Sequence, residues 1–187
     1  MASEGSTLRD SVLIPLAGKG GVGKFFLVTT TDAELIRQFS WRLTGRTKRG
    51  AGRPCVYVST QVKRKTIYIH RFLLGLEAGD GEIVDHINND PLDSRRENLR
   101  LVTDSQNKAN TKKRAAKAGC SSASIFKGVS RSGKRWTAQI KINGVNRYLG
   151  TFDTQEEAAS AYNTSAFEQW GEFACPNIIP PAPAVSL

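Results

Sequence analysis

Metal-binding side chains are scarce in this sequence. It has two histidines, His70 and His86, and three cysteines, Cys55, Cys120 and Cys175. No CxxC pair occurs, and two imidazoles cannot furnish a multi-histidine site, so zinc knuckles, histidine-rich zinc centres and a disulfide framework are excluded. Unpaired thiols suit a reducing compartment. No apolar run approaches the ~20 residues that cross a bilayer, and no N-terminal signal pattern is present. The expectation is a soluble, cytoplasmic protein with no membrane partner. Acidic residues are also short, 17 against 27 Lys plus Arg, which leaves a net charge of +10. The basic residues run along the whole chain, a distribution that favours a polyanion such as nucleic acid.

Apolar residues make up 39% of the 187 positions, enough for two small modules on a linker. The first reads as short strands between Val12 and Val28, broken by a glycine-rich turn. A helix over 32–43 follows, carrying Leu35, Ile36, Phe39 and Leu43 behind an Asp32 N-cap. Residues 44–54 form a basic loop, Val56–Ser59 a strand, and 66–76 a strand start plus a short apolar helix. Glu82–His86 and Leu99–Val102 read as strands around a polar, turn-rich stretch, and Asp104–Arg114 as a polar helix. Residues 113–125 form a linker. The second module alternates as strands at Val129, Trp136–Ile142 and Arg147–Phe152, with hairpin signals at Ser132-Gly133 and Asn143-Gly144. Thr154 and Glu157 make a capping box. Ala158, Ala161, Tyr162, Ala166 and Phe167 give the helix behind it an apolar face. The proline-rich tail, 178–187, is expected to be disordered.

Gly18–Lys24 imitates a phosphate-binding loop, GxxxxGK[ST], but the match breaks at Phe25. That position needs a hydroxyl for magnesium and the start of a helix. Instead Phe25–Thr31 is aromatic and β-branched, which is strand text. A glycine turn between two strands is the expectation; a nucleotide-hydrolysing protein is the alternative.

Chemistry concentrates in residues 82–112. Asp85 and His86 close a strand, Asn98 opens the next, and Asn107 sits early in a helix. A carboxylate and an amide oxygen are hard ligands suited to Mg²⁺ or Mn²⁺. A neutral imidazole can take a proton from water near pH 7. These are the parts of metal-assisted phosphodiester hydrolysis.

The words Val84-Asp85-His86-Ile87-Asn88, Asn98-Leu99-Arg100 and Ser105-Gln106-Asn107, with Ile69-His70-Arg71 upstream, resemble the HNH endonucleases, in particular the phage and intron homing enzymes of the ββα-metal fold. The resemblance implies His86 as general base and Asp85 and Asn107 as metal ligands. It implies that Asn98 orients the His86 ring. The third letter of the motif is often histidine in that family and is Asn107 here, which implies modest metal affinity. Arg95, Arg96 and Arg100 are candidate phosphate clamps, with Arg100 preferred. His70 reads as structural, and Asp90 and Asp93 as turn residues within reach of the metal.

Residues 126–177 resemble the ethylene-response-factor (Apetala-type) DNA-binding domain of plants. The matching words are Phe126-Lys127-Gly128-Val129, Tyr148-Leu149-Gly150-Thr151-Phe152 and Glu157-Ala158-Ala159-Ser160-Ala161-Tyr162. There a three-stranded sheet enters the major groove and reads it with Arg and Trp on its outer face. Lys127, Arg131, Lys134, Trp136, Lys141, Arg147 and Tyr148 are the corresponding candidates. Ser130 stands where the plant domains usually carry arginine, so their sequence preference does not transfer.

The expected fold class is α+β: a ββα-metal nuclease domain over 12–112 (core 82–112), then a three-stranded antiparallel sheet with one packed helix over 126–177. The expected activity is a metal-dependent endonuclease of homing type that nicks or breaks double-stranded DNA at a preferred site. It would act as a monomer without an obligatory protein partner, in a bacterial or phage-infected cell. The alternative is a non-catalytic, sequence-specific DNA-binding regulator.

Overall fold

A computed structural model describes residues 10–46, 55–113 and 124–181. The fold class is α+β, and the chain divides into two compact units, Met1–Thr103 and Asp104–Leu187.

The first unit opens with an antiparallel hairpin, β1 (Ser11–Pro15) and β2 (Phe25–Thr29), in which Ile14 pairs with Phe26 and Val12 with Val28. Alternate residues face inward, so Ile14, Phe26 and Val28 are buried while Leu13 is exposed. The glycine-rich segment is therefore a turn between strands, and no helix follows Lys24. Gly21 is needed there because a Cβ would lie 2.7 Å from the Ala17 carbonyl oxygen.

The helix expected over 32–43 is much shorter. A 3₁₀ turn, Thr30–Asp32, leads into α1 (Ala33–Arg37), and the chain already enters β3 at Arg42 (Arg42–Arg46). One long-range and one local contact override the helical spacing. Asp32 makes no cap bond; both its carboxylate oxygens accept from Arg96, at 2.8–3.1 Å. Trp41 is 1% exposed and donates its indole N–H to Ile36 O at 2.8 Å, which folds the chain back at the helix end. Phe39 and Phe72 pack edge-on around the same indole.

β3 pairs with β4 (Cys55–Val62) and β4 with β5 (Lys65–Tyr68), all antiparallel. Of the basic loop expected over 44–54, residues 44–46 belong to β3; the rest lies outside the described residues. β5 runs into α2 (Ile69–Leu73), and β6 (Ile83–His86) pairs with β7 (Leu99–Val102). Phe26, Val28, Ile36, Trp41, Val58 and Ile69 form the heart of one apolar cluster.

The second unit starts with α3 (Asp104–Ala109), shorter than the 104–114 expected. β6, β7 and α3 thus follow in strand–strand–helix order along the chain. β8 (Val129–Ser132), β9 (Arg135–Ile142) and β10 (Val145–Phe152) form an antiparallel sheet in the order β10-β9-β8. α4 (Gln155–Trp170) packs across it behind the expected capping box of Thr154 and Glu157. Its buried face is Ala158, Ala159, Tyr162 and Ala166. Phe167, expected inside, is 50% exposed. Small residues bring the helix close to the sheet, and Tyr162 fills the space over Gly128. A Cβ on Gly128 would lie 2.1 Å from that ring, and its φ of +75° suits only glycine well. In the expected tail, Ile179 packs against this core; residues beyond 181 lie outside the described ones. Among the described residues, no helix is long and apolar enough to cross a membrane.

Candidate active site and nucleic-acid face

Asp85 and His86 occupy the last two positions of β6, both buried, at 8% and 9% exposure. Asp85 sits opposite Arg100 on β7. Side chains at directly opposed positions share a face, and Arg100 donates to Asp85 Oδ2 from Nε at 3.2 Å and from Nη2 at 3.1 Å.

Beyond His86 the loop is held by amide and carboxylate side chains rather than by an apolar core. Asn88 Oδ1 accepts from the Asp90 amide, and its Nδ2 donates to Asp93 Oδ2, both at 2.8 Å. Asn98 Oδ1 accepts from the Asn88 amide at 3.0 Å. Asn98 Nδ2 donates to Asn88 Oδ1 at 3.0 Å and to Asp93 O at 2.7 Å. Both amide protons of Asn98 are therefore committed to the loop. Through these bonds Asn98 fixes the backbone that follows His86. Asp93 is buried, which alone would raise its pKa. Bonds from Arg95 and Asn88 outweigh that and hold it below the usual carboxylate range. Backbone bonds of Leu27 with Leu92 and Ser94 tie the loop to β2.

The three candidate phosphate clamps are engaged inside the protein. Arg95 pairs with Asp93 and Glu97, Arg96 with Asp32 and the Leu73 carbonyl, and Arg100 with Asp85.

His70, read from sequence as structural, lies beside the site. Its ring meets that of His86 edge-on at 5.5 Å, stacks on Tyr68 at 5.8 Å and touches Tyr57 at 5.8 Å. Its Nδ1 is buried without a hydrogen-bond partner. Burial, then the charges on His86 and Arg71, pushes its pKa down to about 4. Burial also lowers the pKa of His86, against the opposing pull of Asp85, Asp90 and Asp93. Both rings are thus neutral at pH 7, the form in which imidazole accepts a proton. The apolar helix behind His70 disguised this placement. The signal available in the sequence was the Ile69-His70-Arg71 word itself.

Asn107 is half-buried on α3. Among the described residues, no cluster of three His, Cys, Asp or Glu side chains could hold a metal. The two ligands implied by the sequence are the Asp85 carboxylate, in the first unit, and the Asn107 amide, in the second. That set does not suit zinc, but it suits a hard cation that keeps most of its own water.

In the C-terminal sheet, strand register sorts the candidate DNA contacts. Ala138, Ile140 and Ile142 of β9 are buried beneath α4. The opposite face carries Thr137, Gln139 and Lys141, with cross-strand partners Ser130, Thr151, Tyr148 and Asn146. Lys141 and Tyr148 belong to this outer face, and Lys134 is exposed in the turn beside it. Trp136, Arg131 and Arg147 have the opposite parity. Trp136 packs on the helix-side core with the Arg131 guanidinium 5.7 Å from its ring, and Arg147 pairs with Ile140. Arg135, overlooked in the sequence, shares the outer face and bonds Asp153 Oδ1 at 2.9 Å; its even spacing from Thr137 and Gln139 was the missed signal. Lys127 is outside the sheet, and its ammonium donates to the Ala109 carbonyl at 2.7 Å.

Buried Asp85 and His86 end a strand that a second strand and a short helix follow along the chain, the element order expected of a ββα nuclease. The HNH endonuclease family model matches residues 68–109. An uncharacterised HNH endonuclease of Acanthamoeba polyphaga mimivirus is 33% identical over 177 residues, covering 91% of this chain and 83% of its own length. The chain belongs to the HNH endonuclease family. An AP2-like ethylene-responsive transcription factor of Arabidopsis thaliana is 48% identical over 59 residues, which cover 29% of this chain and 11% of the plant protein. One of Oryza sativa subsp. japonica is 48% identical over 50 residues, covering 25% and 8% respectively. No solved structure matches. The chain is thus an HNH nuclease that also carries an ethylene-response-factor-type domain.

Proposed function

We propose that this nuclease is a metal-dependent DNA endonuclease of homing type that hydrolyses phosphodiesters of double-stranded DNA at a preferred site, as a nick or a double-strand break. Residues 12–112 carry the nuclease and 126–177 locate it on DNA, with 113–125 as linker and 178–187 as a tail. Asp85 and Asn107 hold Mg²⁺ or Mn²⁺, and His86 is the general base. When bound, the cation stabilises negative charge on the phosphate and leaving oxygen. His86, held neutral by burial, takes the proton from the attacking water. Asn98 acts through the loop: it fixes the chain directly after His86 and so fixes the ring's approach. Arg100, on the same carboxylate that binds the cation, opposes tight metal binding by charge and balances Asp85 when no metal is there. Lys134, Lys141 and Tyr148, with Arg135, offer the sheet face to DNA. Arg131, Trp136 and Arg147 act from behind or beside it, whereas the Lys127 ammonium is turned to the Ala109 carbonyl.

The observation that carries this reading is the succession of two buried residues, Asp85 and His86, at the end of one strand. In a supercoiled-plasmid assay with Mg²⁺ or Mn²⁺, the wild type should nick or linearise DNA, and His86→Ala should lose cutting while still shifting DNA in a gel. Equal cutting by both proteins would remove His86 from the mechanism.

A further inference from the structure

Helix α3 belongs to the family's matched segment, 68–109, yet it packs within the C-terminal unit, on α4 and on the 3₁₀ turn Gly171–Phe173. At six residues it is too short to be stable alone, so tertiary contacts dictate where it stands. Two side chains of the DNA-binding module grip its two ends. Lys127 Nζ donates to the carbonyl of Ala109, the last residue of α3, at 2.7 Å. The final carbonyls of a helix lack partners within it, and a cation there also meets the negative end of the helix dipole. That ammonium lies 5.8 Å from the centre of the Tyr162 ring, and burial lowers its pKa, the mark of a lysine held inside rather than offered to solvent. The backbone of Lys127 is itself pinned by Asn177, whose Oδ1 accepts from its amide at 2.6 Å and whose Nδ2 donates to its carbonyl at 3.0 Å. At the other end, Trp170 Nε1 donates to Ser105 Oγ at 3.4 Å.

We propose that Lys127 and Trp170 are positioning residues: they hold α3 at its two ends and so fix how it carries the Asn107 amide. This rests on the reading of Asn107 as a metal ligand. Lys127, which its sequence context offers as a DNA contact, is assigned to α3 instead.

The test uses the full chain as Lys127→Met, Lys127→Arg, Trp170→Phe and, for reference, Asn107→Ala. Three quantities are read: Mn²⁺ affinity by water-proton relaxation, DNA affinity at several salt concentrations, and hydrogen exchange of the 104–109 amides without metal or DNA. Lys127→Met should weaken Mn²⁺ binding on the order of tenfold, the usual cost of losing a residue that orients a ligand. It should slow nicking in step and speed exchange across α3. Trp170→Phe should do the same more mildly, and Lys127→Arg should restore both. DNA affinity and its salt slope should stay at the wild-type values. If Lys127→Met instead lowers DNA affinity and the salt slope by about one with Mn²⁺ binding intact, Lys127 is a phosphate contact and the proposal falls. Unchanged exchange across α3 overturns it as well. If Asn107→Ala binds Mn²⁺ normally, the metal reading of Asn107 is what fails, and exchange alone then supports or refutes the anchoring.

Discussion

His70 and His86 share one environment and one consequence. Both imidazoles are buried, and both are harder to protonate than in water. A histidine whose folded-state pKa is depressed stabilises the fold fully above its unfolded value, about 6.5. That contribution is lost as pH falls from there toward about 4, the value for His70. In the presence of a chelator, the thermal midpoint should hold steady above pH 7 and drop through that window. His70→Phe should flatten part of the drop. The His70 ring already lies among Tyr57, Tyr68 and His86, and its Nδ1 has no partner to lose. An equally steep acid decline in His70→Phe would mean that His70 is not its source. Asp85, His86 and Asn107 stand out in the sequence by residue type and order. The Arg100 guanidinium on Asp85 and the His70 ring on His86 do not, because both depend on which strand and helix lie opposite.

Single positions decide the two most informative elements. The loop after β6 has little apolar content and is held by the amides of Asn88 and Asn98 together with Asp93, so its shape is a hydrogen-bond network rather than a packed core. Turn-rich text announced a loop there but not which groups bond. The helix expected over 32–43 shows the opposite failure: its spacing was helical, yet Asp32 and Trp41 found stronger partners elsewhere. α4 followed its text closely at the start, because a capping box is a local device. Its packing hinges on Gly128, where alanine would meet both a left-handed backbone and the Tyr162 ring. Gly128→Ala should cost about 2–4 kcal/mol, read as a lower midpoint in urea for the C-terminal unit. A loss under half a kcal/mol would mean that Tyr162 moves aside freely.

At the scale of the whole molecule, the 27 Lys and Arg side chains are partly spent on internal pairs before any of them meets DNA. Arg95, Arg96 and Arg100 are spent that way, and Lys127 on a helix end. The outer sheet face keeps Lys141 exposed. Lys141→Ala should therefore weaken binding to all sequences alike and reduce the slope of log affinity against log salt by about one. Arg96→Ala should leave that slope alone and lower stability instead. The reverse pattern would show that the sheet face is not the one that meets the backbone.

By itself the sequence determined the α+β class, the capped helix, the hairpin turns, the failed phosphate loop and the ordered words of an HNH nuclease. Each of these is local: a period, a cap or a short ordered word. Only the tertiary structure decided which charges are consumed by partners far along the chain, which face of the sheet each residue takes, and that α3 is gripped by Lys127 and Trp170. Those outcomes depend on distant groups competing for the same donors and acceptors, and no window of sequence contains both competitors.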